Sequence, residues 1–335
     1  FYRYEDIIKK EDDAGYDKTA FEKMLEIKGD SDHTKLIDML TDLNDYSIGI
    51  EDVLKEHFDE ENIVYWMAFQ ILMGNVDTQN RNVYLYSPLN SDIWYFIAWD
   101  NDGCLMRPEY ELRNFSDQNS WEKGISNYWG NILFQRCLKS RSFREKLNDA
   151  ILDLREYLNK DMLTSKIESY KNVLKPYLYL MPDAEYEPLT SEQYDQIAAS
   201  LPDEIEKNYQ LYLESLETPM PFYIGVPTID GDKLKFNWDV SYDLDAEDIT
   251  YSVEVAGDYL FRDVIYQNTT LTVPEAEMDL PKAGQYFVRV RATNTSGKTQ
   301  DAFDYYVTDE GKYYGMRCFY ITEDSTVEED DYEEG

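Results

Sequence analysis

A chain of 335 residues with 43% apolar and 15% aromatic side chains has room for two domains and a sizeable core. Its 68 Asp and Glu against 32 Lys and Arg give a formal charge of −36, which excludes nucleic-acid or anionic-membrane binding through a general basic surface. Eight of the acids follow Ile321, and the body without them is still about −28. That charge suits a soluble, non-sticking extracellular protein, or one living with abundant divalent cations. The sequence has no apolar run of about 18 residues, so no membrane span is expected. Cys104, Cys137 and Cys318 lie far apart without metal-ligand spacing, and read as buried free thiols rather than a disulfide framework. A start at Phe1, without Met or leader, reads as a segment of a longer precursor.

The first 18 residues are charged and Tyr-rich, with a turn at Asp12-Asp13-Ala14-Gly15. Helices are expected over Thr19–Lys28, from an N-cap at Ser31 or Asp32 to Leu43, and over Ile50–Phe58. His33 and His57 fall near helix ends with no partner at metal spacing, and are expected to be solvated or to answer a helix dipole. Glu61–Met73 is apolar almost all round, which marks a helix buried on most sides.

That helix delivers the chain to a polar loop, Gly74-Asn75-Val76-Asp77-Thr78-Gln79-Asn80-Arg81-Asn82. Two strand-like runs follow, Val83–Tyr86 and Ile93–Trp99, joined through Pro88, Asn90, Ser91 and Asp92, and the second ends in Asp100-Asn101-Asp102-Gly103. A tight hairpin sets the loop before its first strand beside the turn after its second, so Asp77 and Asn82 should approach Asp100 and Asp102. Three carboxylates within a few ångströms would repel by roughly 4 kcal/mol per pair at about 4 Å and an effective dielectric near ~20. A divalent cation relieves such a cluster, and hard oxygen donors suit Mg²⁺ or Ca²⁺. Asp77 and Asn82 also keep the Asp-x₄-Asn spacing of a kinase catalytic loop, in which the Asp accepts the hydroxyl proton and the Asn holds metal.

Asn75-Val76-Asp77, Asn82-Val83-Tyr84-Leu85-Tyr86, Trp94 and Ile97-Ala98-Trp99-Asp100-Asn101-Asp102 together resemble the central motif of the CotH (spore-coat protein H) kinase family of atypical, secreted or coat-associated bacterial protein kinases. The likeness runs from about residue 25 to about residue 180 and includes the helix start at Asn131-Ile132-Leu133. It implies Asp77 as the catalytic residue, Asn82 and Asp100 as metal ligands with Asp102 as helper, and Mg²⁺ (or Ca²⁺ or Mn²⁺) with ATP as cofactors. Arg81 stands where many relatives carry His. Arg81, Arg107 and Arg113 are the candidates for contact with substrate or phosphate. The fold implied is the mainly helical lobe of a kinase with a catalytic β-hairpin. The Gly-rich loop and strand Lys of a nucleotide-gripping lobe are not recognisable before Asp77, so this chain by itself is expected to be inactive or feeble.

Beyond Gly103 an irregular segment, Cys104–Lys123, occupies the place of an activation segment. Helices are expected over Trp129–Lys139, Ser142–Asn159, Lys160–Leu174, Ser191–Ser200 and Asp203–Leu216. Thr218-Pro219-Met220-Pro221 marks the domain boundary. Past it, alternating runs at Lys233–Val240, Ile249–Val255, Phe261–Gln267, Thr270–Val273, Gln285–Thr293 and Asp304–Val307 indicate a β-sandwich. Trp238 and the run Tyr286–Ala292 resemble fibronectin type III modules, with Pro227, Trp238 and Tyr286 as core positions. Tyr305, Tyr306, Tyr313, Tyr314 and Tyr320 read as sheet packing, with a carbohydrate or protein contact face as the alternative. Glu323–Gly335 reads as an acidic disordered tail.

The expected whole is an α+β multidomain chain: 1–217 kinase-like, 218–321 fibronectin type III-like or immunoglobulin-like, and 322–335 tail. Two functions compete. One is Mg-ATP phosphotransfer to Ser, Thr or Tyr of an extracellular protein. The other is a non-catalytic, cell-surface or scaffold-associated binding protein with a structural cation site. A glycosidase is disfavoured, since nothing specifies an acid in an apolar pocket.

Overall fold

The computed structural model describes residues 14–20, 33–79, 82–112, 121–308 and 311–329. The helix expected over Thr19–Lys28 and the capping residues Ser31 and Asp32 lie mostly outside them. The architecture is α+β: a helical body followed by a two-sheet β unit.

The body opens with α1 (Thr34–Asn44), α2 (Ile50–His57) and α3 (Glu60–Met73). The N-cap of α1 is His33, so this helix begins later than the Ser31 or Asp32 signal suggested. Both histidines are buried, against the solvated places expected for them. His57 Nε2 lies 2.7 Å from Asp42 Oδ2, which satisfies a ring that the α1–α2 contact removes from water. Asp59 caps α3, its carboxylate accepting from the Asn62 N–H at 2.9 Å. The helix stops at Gly74, whose φ of 60° is left-handed, and a Cβ there would stand 2.7 Å from Asn208 Nδ2. Eight residues of α3 are buried, in keeping with its apolar circumference.

A short hairpin, β1 (Tyr84–Tyr86) and β2 (Tyr95–Ile97), follows in antiparallel register with Leu85 opposite Phe96. It is shorter than the runs expected because it pairs with the helical body rather than with more sheet. Asn62 accepts from the Phe96 N–H (2.7 Å) and donates to its carbonyl (3.2 Å), so a side chain of α3 replaces a third strand. Lys35 of α1 fastens the hairpin tip by donating to Ser87 Oγ and the Pro88 carbonyl at 3.0 and 2.8 Å.

The segment expected to be irregular contains a six-residue helix, α4 (Arg107–Leu112). Then come α5 (Ile132–Lys139), α6 (Arg141–Tyr157), α7 (Lys160–Leu178), α8 (Ser191–Ser200) and α9 (Glu204–Leu216). Asn131, Ser140, Asn159 and Thr190 cap α5 to α8 through their side chains, so α5 starts after Asn131 rather than at the expected Trp129, α6 one residue before Ser142, and α7 runs on to Leu178 past the expected Leu174. One continuous apolar core runs through α1, α2, α3, β2, residues 121–134, α6 and α9.

The β unit holds β3 (Thr228–Asp230), β4 (Lys233–Asn237), β5 (Ile249–Ala256), β6 (Val264–Leu271), β7 (Glu275–Asp279), β8 (Gly284–Asn294), β9 (Thr299–Asp301), β10 (Tyr305–Thr308), β11 (Gly311–Tyr314), β12 (Met316–Ile321) and β13 (Val327–Glu329). The two packed sheets run β3-β4-β7 and β13-β12-β8-β5-β6 with β9 also on β8, and β10 and β11 pair as a separate hairpin. Leu234, Phe236 and Trp238 from one side meet Val253, Val255, Val288, Val290 and Phe319 from the other in a shared core. The strand signals at Phe261–Gln267 and Thr270–Val273 belong to one strand, β6, bulged against β5. Nor is the tail wholly without structure: β13 pairs Val327 with Ile321, so the sheet extends past the expected limit at 321.

Arg136 shows what the buried helical interface rests on. Its guanidinium donates to the carbonyls of Leu43 and Ile48, and at 3.4 Å to those of Asp42 and Asp45, closing the C-terminal end of α1. Replacing it by Met strands these carbonyls, so Arg136→Met is expected to lose about 3 kcal/mol in a urea titration.

Candidate active site

The site grows out of the C-terminal end of α3. Gln70, the one amide in the apolar run Ile63–Met73, is buried and donates through Nε2 to Asn101 Oδ1 at 3.0 Å. Asn75, 1% exposed, donates through Nδ2 to Gln70 Oε1 (3.0 Å) and Asn101 Oδ1 (3.3 Å). Its own Oδ1 accepts from the Asp77 N–H at 3.3 Å. Three amides thus join the helix, the loop after it and the turn after β2, away from solvent, where amide pairs are worth most. The Leu105 N–H closes the same junction by donating to the Met73 carbonyl at 2.8 Å.

Asp77 begins a 3₁₀ turn, Asp77–Gln79. Its carboxylate lies against the second 3₁₀ turn, Asn101–Gly103: a Cβ built on Gly103 would meet Asp77 Oδ2 at 3.2 Å and Asn75 Oδ1 at 2.8 Å. Only a residue without a side chain lets the two segments close this far. The hairpin therefore does set the loop beside the turn. Two residues back along each strand from the Tyr84–Ile97 pair come Asn82 and Trp99, with Asp100 next in the chain. Asn82 (φ 52°) and Asp100 (φ 48°) are both left-handed. Asn and Asp tolerate that conformation best among residues with a side chain, and such backbone concentrates at functional sites.

The three carboxylates do not converge as expected. Asp77, Asp100 and Asp102 are all exposed, and among the described residues no three Asp, Glu, His or Cys side chains gather into a set able to hold a metal ion. Each charge is solvated by water instead of facing its neighbours. Asn82 with two carboxylates remains a set of hard oxygen donors. It fits a cation that keeps waters and arrives with phosphate oxygens, the ordinary habit of Mg²⁺, and not one caged by protein alone.

Of the three arginines, Arg81 and Arg113 lie outside the described residues. Arg107 Nη1 stands 3.2 Å from Glu204 Oε2, and Nη2 donates to Asn208 Oδ1. Asn208 in turn donates to the Leu72 carbonyl at 2.9 Å. The guanidinium therefore ties α4 to α9 and α3 beneath the site.

Beneath the loop, Tyr128 is fully buried, and its hydroxyl sits 3.1 Å from Thr78 Oγ1 and donates to the Asn75 carbonyl at 3.4 Å. Burial pushes its ionisation well above the ordinary tyrosine range. Asn127 donates to the Val76 carbonyl at 3.4 Å. Cys104 follows the turn half-buried, and desolvation pushes its thiol up to about 12 although a hydrogen bond with Asn75 opposes this, so it stays protonated and is no nucleophile near neutrality. On the outer face of the hairpin Tyr84 and Trp99 are exposed, their rings 5.4 Å apart and inclined by 33°. Gln70, Asn127 and Tyr128 were not singled out by sequence; Asn75, Asn101 and Gly103 stood in the motif or the turn but without a role. The signal available was an amide inside an apolar helix and a Gly closing an acidic turn.

With this geometry in view, comparison with known proteins is decisive on one point. The family model described as CotH kinase protein matches residues 1–212. The chain belongs to the CotH kinase family. The match is wider than the span legible from the motif, and it takes in the whole helical body as far as α9. A search of curated proteins finds no match. Among solved structures, the twitchin kinase region from C. elegans is 15% identical over 28% of this chain and 20% of that one, with a TM-score of 0.22. Surface layer protein SbsC, domains 1–6, is 12% identical over 95% of this chain and 36% of that one, with a TM-score of 0.19. Neither likeness is close enough to bear on fold or function, and the chain spans only about a fifth and about a third of those two proteins.

The contact at Gly103 can be probed directly. Gly103→Ala forces the turn away from Asp77 and Asn75 and is expected to cost about 1–3 kcal/mol by overpacking. Thermal or urea unfolding at wild-type stability would show that the close approach is not there.

Proposed function

We propose that this CotH-family chain carries a phosphotransfer centre of protein-kinase type, acting on hydroxyl side chains of a protein. The observation that supports it best is the packing of the Asp77 carboxylate against Gly103, which brings the loop carrying Asp77 against the turn that follows the hairpin. Asp77 then orients the attacking Ser, Thr or Tyr hydroxyl and accepts its proton. Asn82 and Asp100, with Asp102 beside them, supply oxygens toward Mg²⁺ carried by the phosphates of ATP. A bound Mg²⁺, held by Asn82, Asp100 and Asp102, would supply neutralisation of charge on the transferring phosphate. Solvated carboxylates at an open mouth suit a metal–nucleotide that comes and goes. The exposed Tyr84–Trp99 pair beside Asn82 offers the nucleotide base a stacking surface. Arg81 and Arg113 are proposed to meet phosphate or substrate. Arg107 serves the site from below through Glu204 and Asn208.

The strand order of the β unit, three strands against the remainder, supports a fibronectin type III reading. So does Tyr286, whose hydroxyl donates to the Lys282 carbonyl at 2.9 Å in the manner of a tyrosine corner. A net charge of −36 supports an extracellular or cell-surface location. The binding-protein reading draws on Tyr305, which is exposed with Lys312 Nζ 4.4 Å from its ring centre. The other tyrosines of that hairpin favour packing: Tyr306 and Tyr313 lie against Tyr259, and Tyr314 against Trp121.

Calorimetric titration with Mg²⁺ and ATP, combined with phosphate transfer to a mixed protein substrate, separates the two. Asp77→Asn is expected to keep ATP binding and to lower transfer by at least about 10²-fold. Transfer unchanged in that variant sinks the kinase reading. In the same titration Trp99→Ala should weaken ATP by about tenfold, the lower end of a base–aromatic stack, and leave unfolding by urea unaltered.

A further inference from the structure

Residues 121–131 are pressed between the loop that carries Asp77 and the β unit. We propose that the β unit is a working part of the catalytic body: it clamps this segment and, through it, fixes the backbone of Asn75–Thr78.

On one side, Tyr128 and Asn127 hold the carbonyls of Asn75 and Val76 and the hydroxyl of Thr78. On the other, the neighbouring residues pack on the β unit. Trp121 meets Phe303 (5.2 Å between rings) and Tyr314 (5.8 Å) edge-on. Trp129 stacks on Tyr242 at 5.5 Å, and Lys139 Nζ lies 5.4 and 5.3 Å from the two rings. A Cβ on Gly130 would touch Phe303 and the Tyr223 hydroxyl, each at 3.5 Å. Tyr314 also donates to Glu122 Oε1 at 3.3 Å. A single peptide bond separates Tyr128, which grips the loop, from Trp129, which grips the β unit, so a backbone shift at either residue reaches the other.

The segment has little regular structure of its own. Its one defined element is a 3₁₀ turn, Ser126–Tyr128. Yet Trp121, Ile125, Tyr128 and Trp129 are all buried, so its shape is imposed by what surrounds it. The connection at Thr218–Pro221 is no loose tether either. Met220 is fully buried in the core of the helical body, and its N–H donates to the Tyr242 carbonyl at 2.7 Å. Asn294 of β8 donates to the Glu217 carbonyl and to Asp243, each at 3.0 Å. The helical body and β unit thus share one interface, with Tyr242 and Phe303 as positioning residues at its centre.

The clamp is independent of the chemistry proposed above, and only its catalytic consequence rests on that reading. Hydrogen exchange on the full chain, followed by mass spectrometry over residues 74–79, tests it. Tyr242→Ala, a mild change at a half-exposed ring, and Phe303→Ala should each speed exchange in this loop by about tenfold. Val253→Ala, which weakens the β unit at a core site away from the interface, should not. Loop exchange at the wild-type rate in both interface variants, or equal acceleration by Val253→Ala, overturns the proposal. Where phosphate transfer is measurable, the interface variants should lose kcat with little change in KM for ATP, and unchanged kcat would count against the clamp. Absence of transfer in this chain, expected where no nucleotide-gripping lobe is recognisable, leaves the exchange result to decide the clamp; Asp77→Asn with unchanged transfer defeats the kinase reading alone.

Discussion

The junction of Gln70, Asn75 and Asn101 is the constraint on which the site depends. Buried amides must find partners, because an unmet donor or acceptor costs about 1–3 kcal/mol. Here Gln70 and Asn75, neighbours five residues apart, are satisfied through Asn101, which lies far along the chain in the turn after β2. The C-terminal end of α3, the loop bearing Asp77 and the turn after β2 are fixed together by that requirement. Gly74 and Gly103 make the arrangement possible by removing the two side chains that would obstruct it. The exposed carboxylates then stand on a rigid base, as sites of this kind need: a rigid floor below and freely solvated charges above.

That division also explains why the acidic residues do not form a cage. A protein-only cage must bring several like charges together before the cation arrives, and in a chain of charge −36 every added acid raises that cost. Leaving Asp77, Asp100 and Asp102 in water avoids it. Under the proposed phosphotransfer reading, a cation already carrying phosphate would suit such a site better than a bare one, because phosphate supplies ligands the protein lacks. Buried positions are instead given to neutral amides and hydroxyls, which position the backbone without adding charge.

Sequence patterns foretold the parts of this structure whose causes are local. Asn131, Ser140, Asn159 and Thr190 are N-cap residues by chemistry, and the helices begin where they stand. Gly74 ends α3 for a reason visible in one residue. The hairpin and the Asp77–Asn82 spacing were legible in the same way, and the family they resemble is the one whose model matches residues 1–212. What was not legible depends on partners distant in the chain. The burial of His57 against Asp42, the hold of Tyr128 on the 74–79 loop, and the strand β13 at the margin of the acidic tail all need the folded neighbour. Trp121 and Trp129 lie in a stretch with neither helical nor strand period. Their importance comes from burial between two units, which periodicity does not report.

The boundary near Thr218 illustrates the same limit and bears on function. A change from helical to strand pattern locates where one kind of secondary structure stops; it says nothing of whether the pieces move apart. Interfaces inside a chain permit motion when they are small and polar, and resist it when aromatic and buried. This one is made of Trp121, Trp129, Tyr242 and Phe303, with Met220 sunk into the opposite core. A module that merely targeted or spaced the body would need none of these contacts. Their position beside the side chains that hold the Asp77 loop is what the proposed clamp rests on, and it reaches past the family match at residues 1–212.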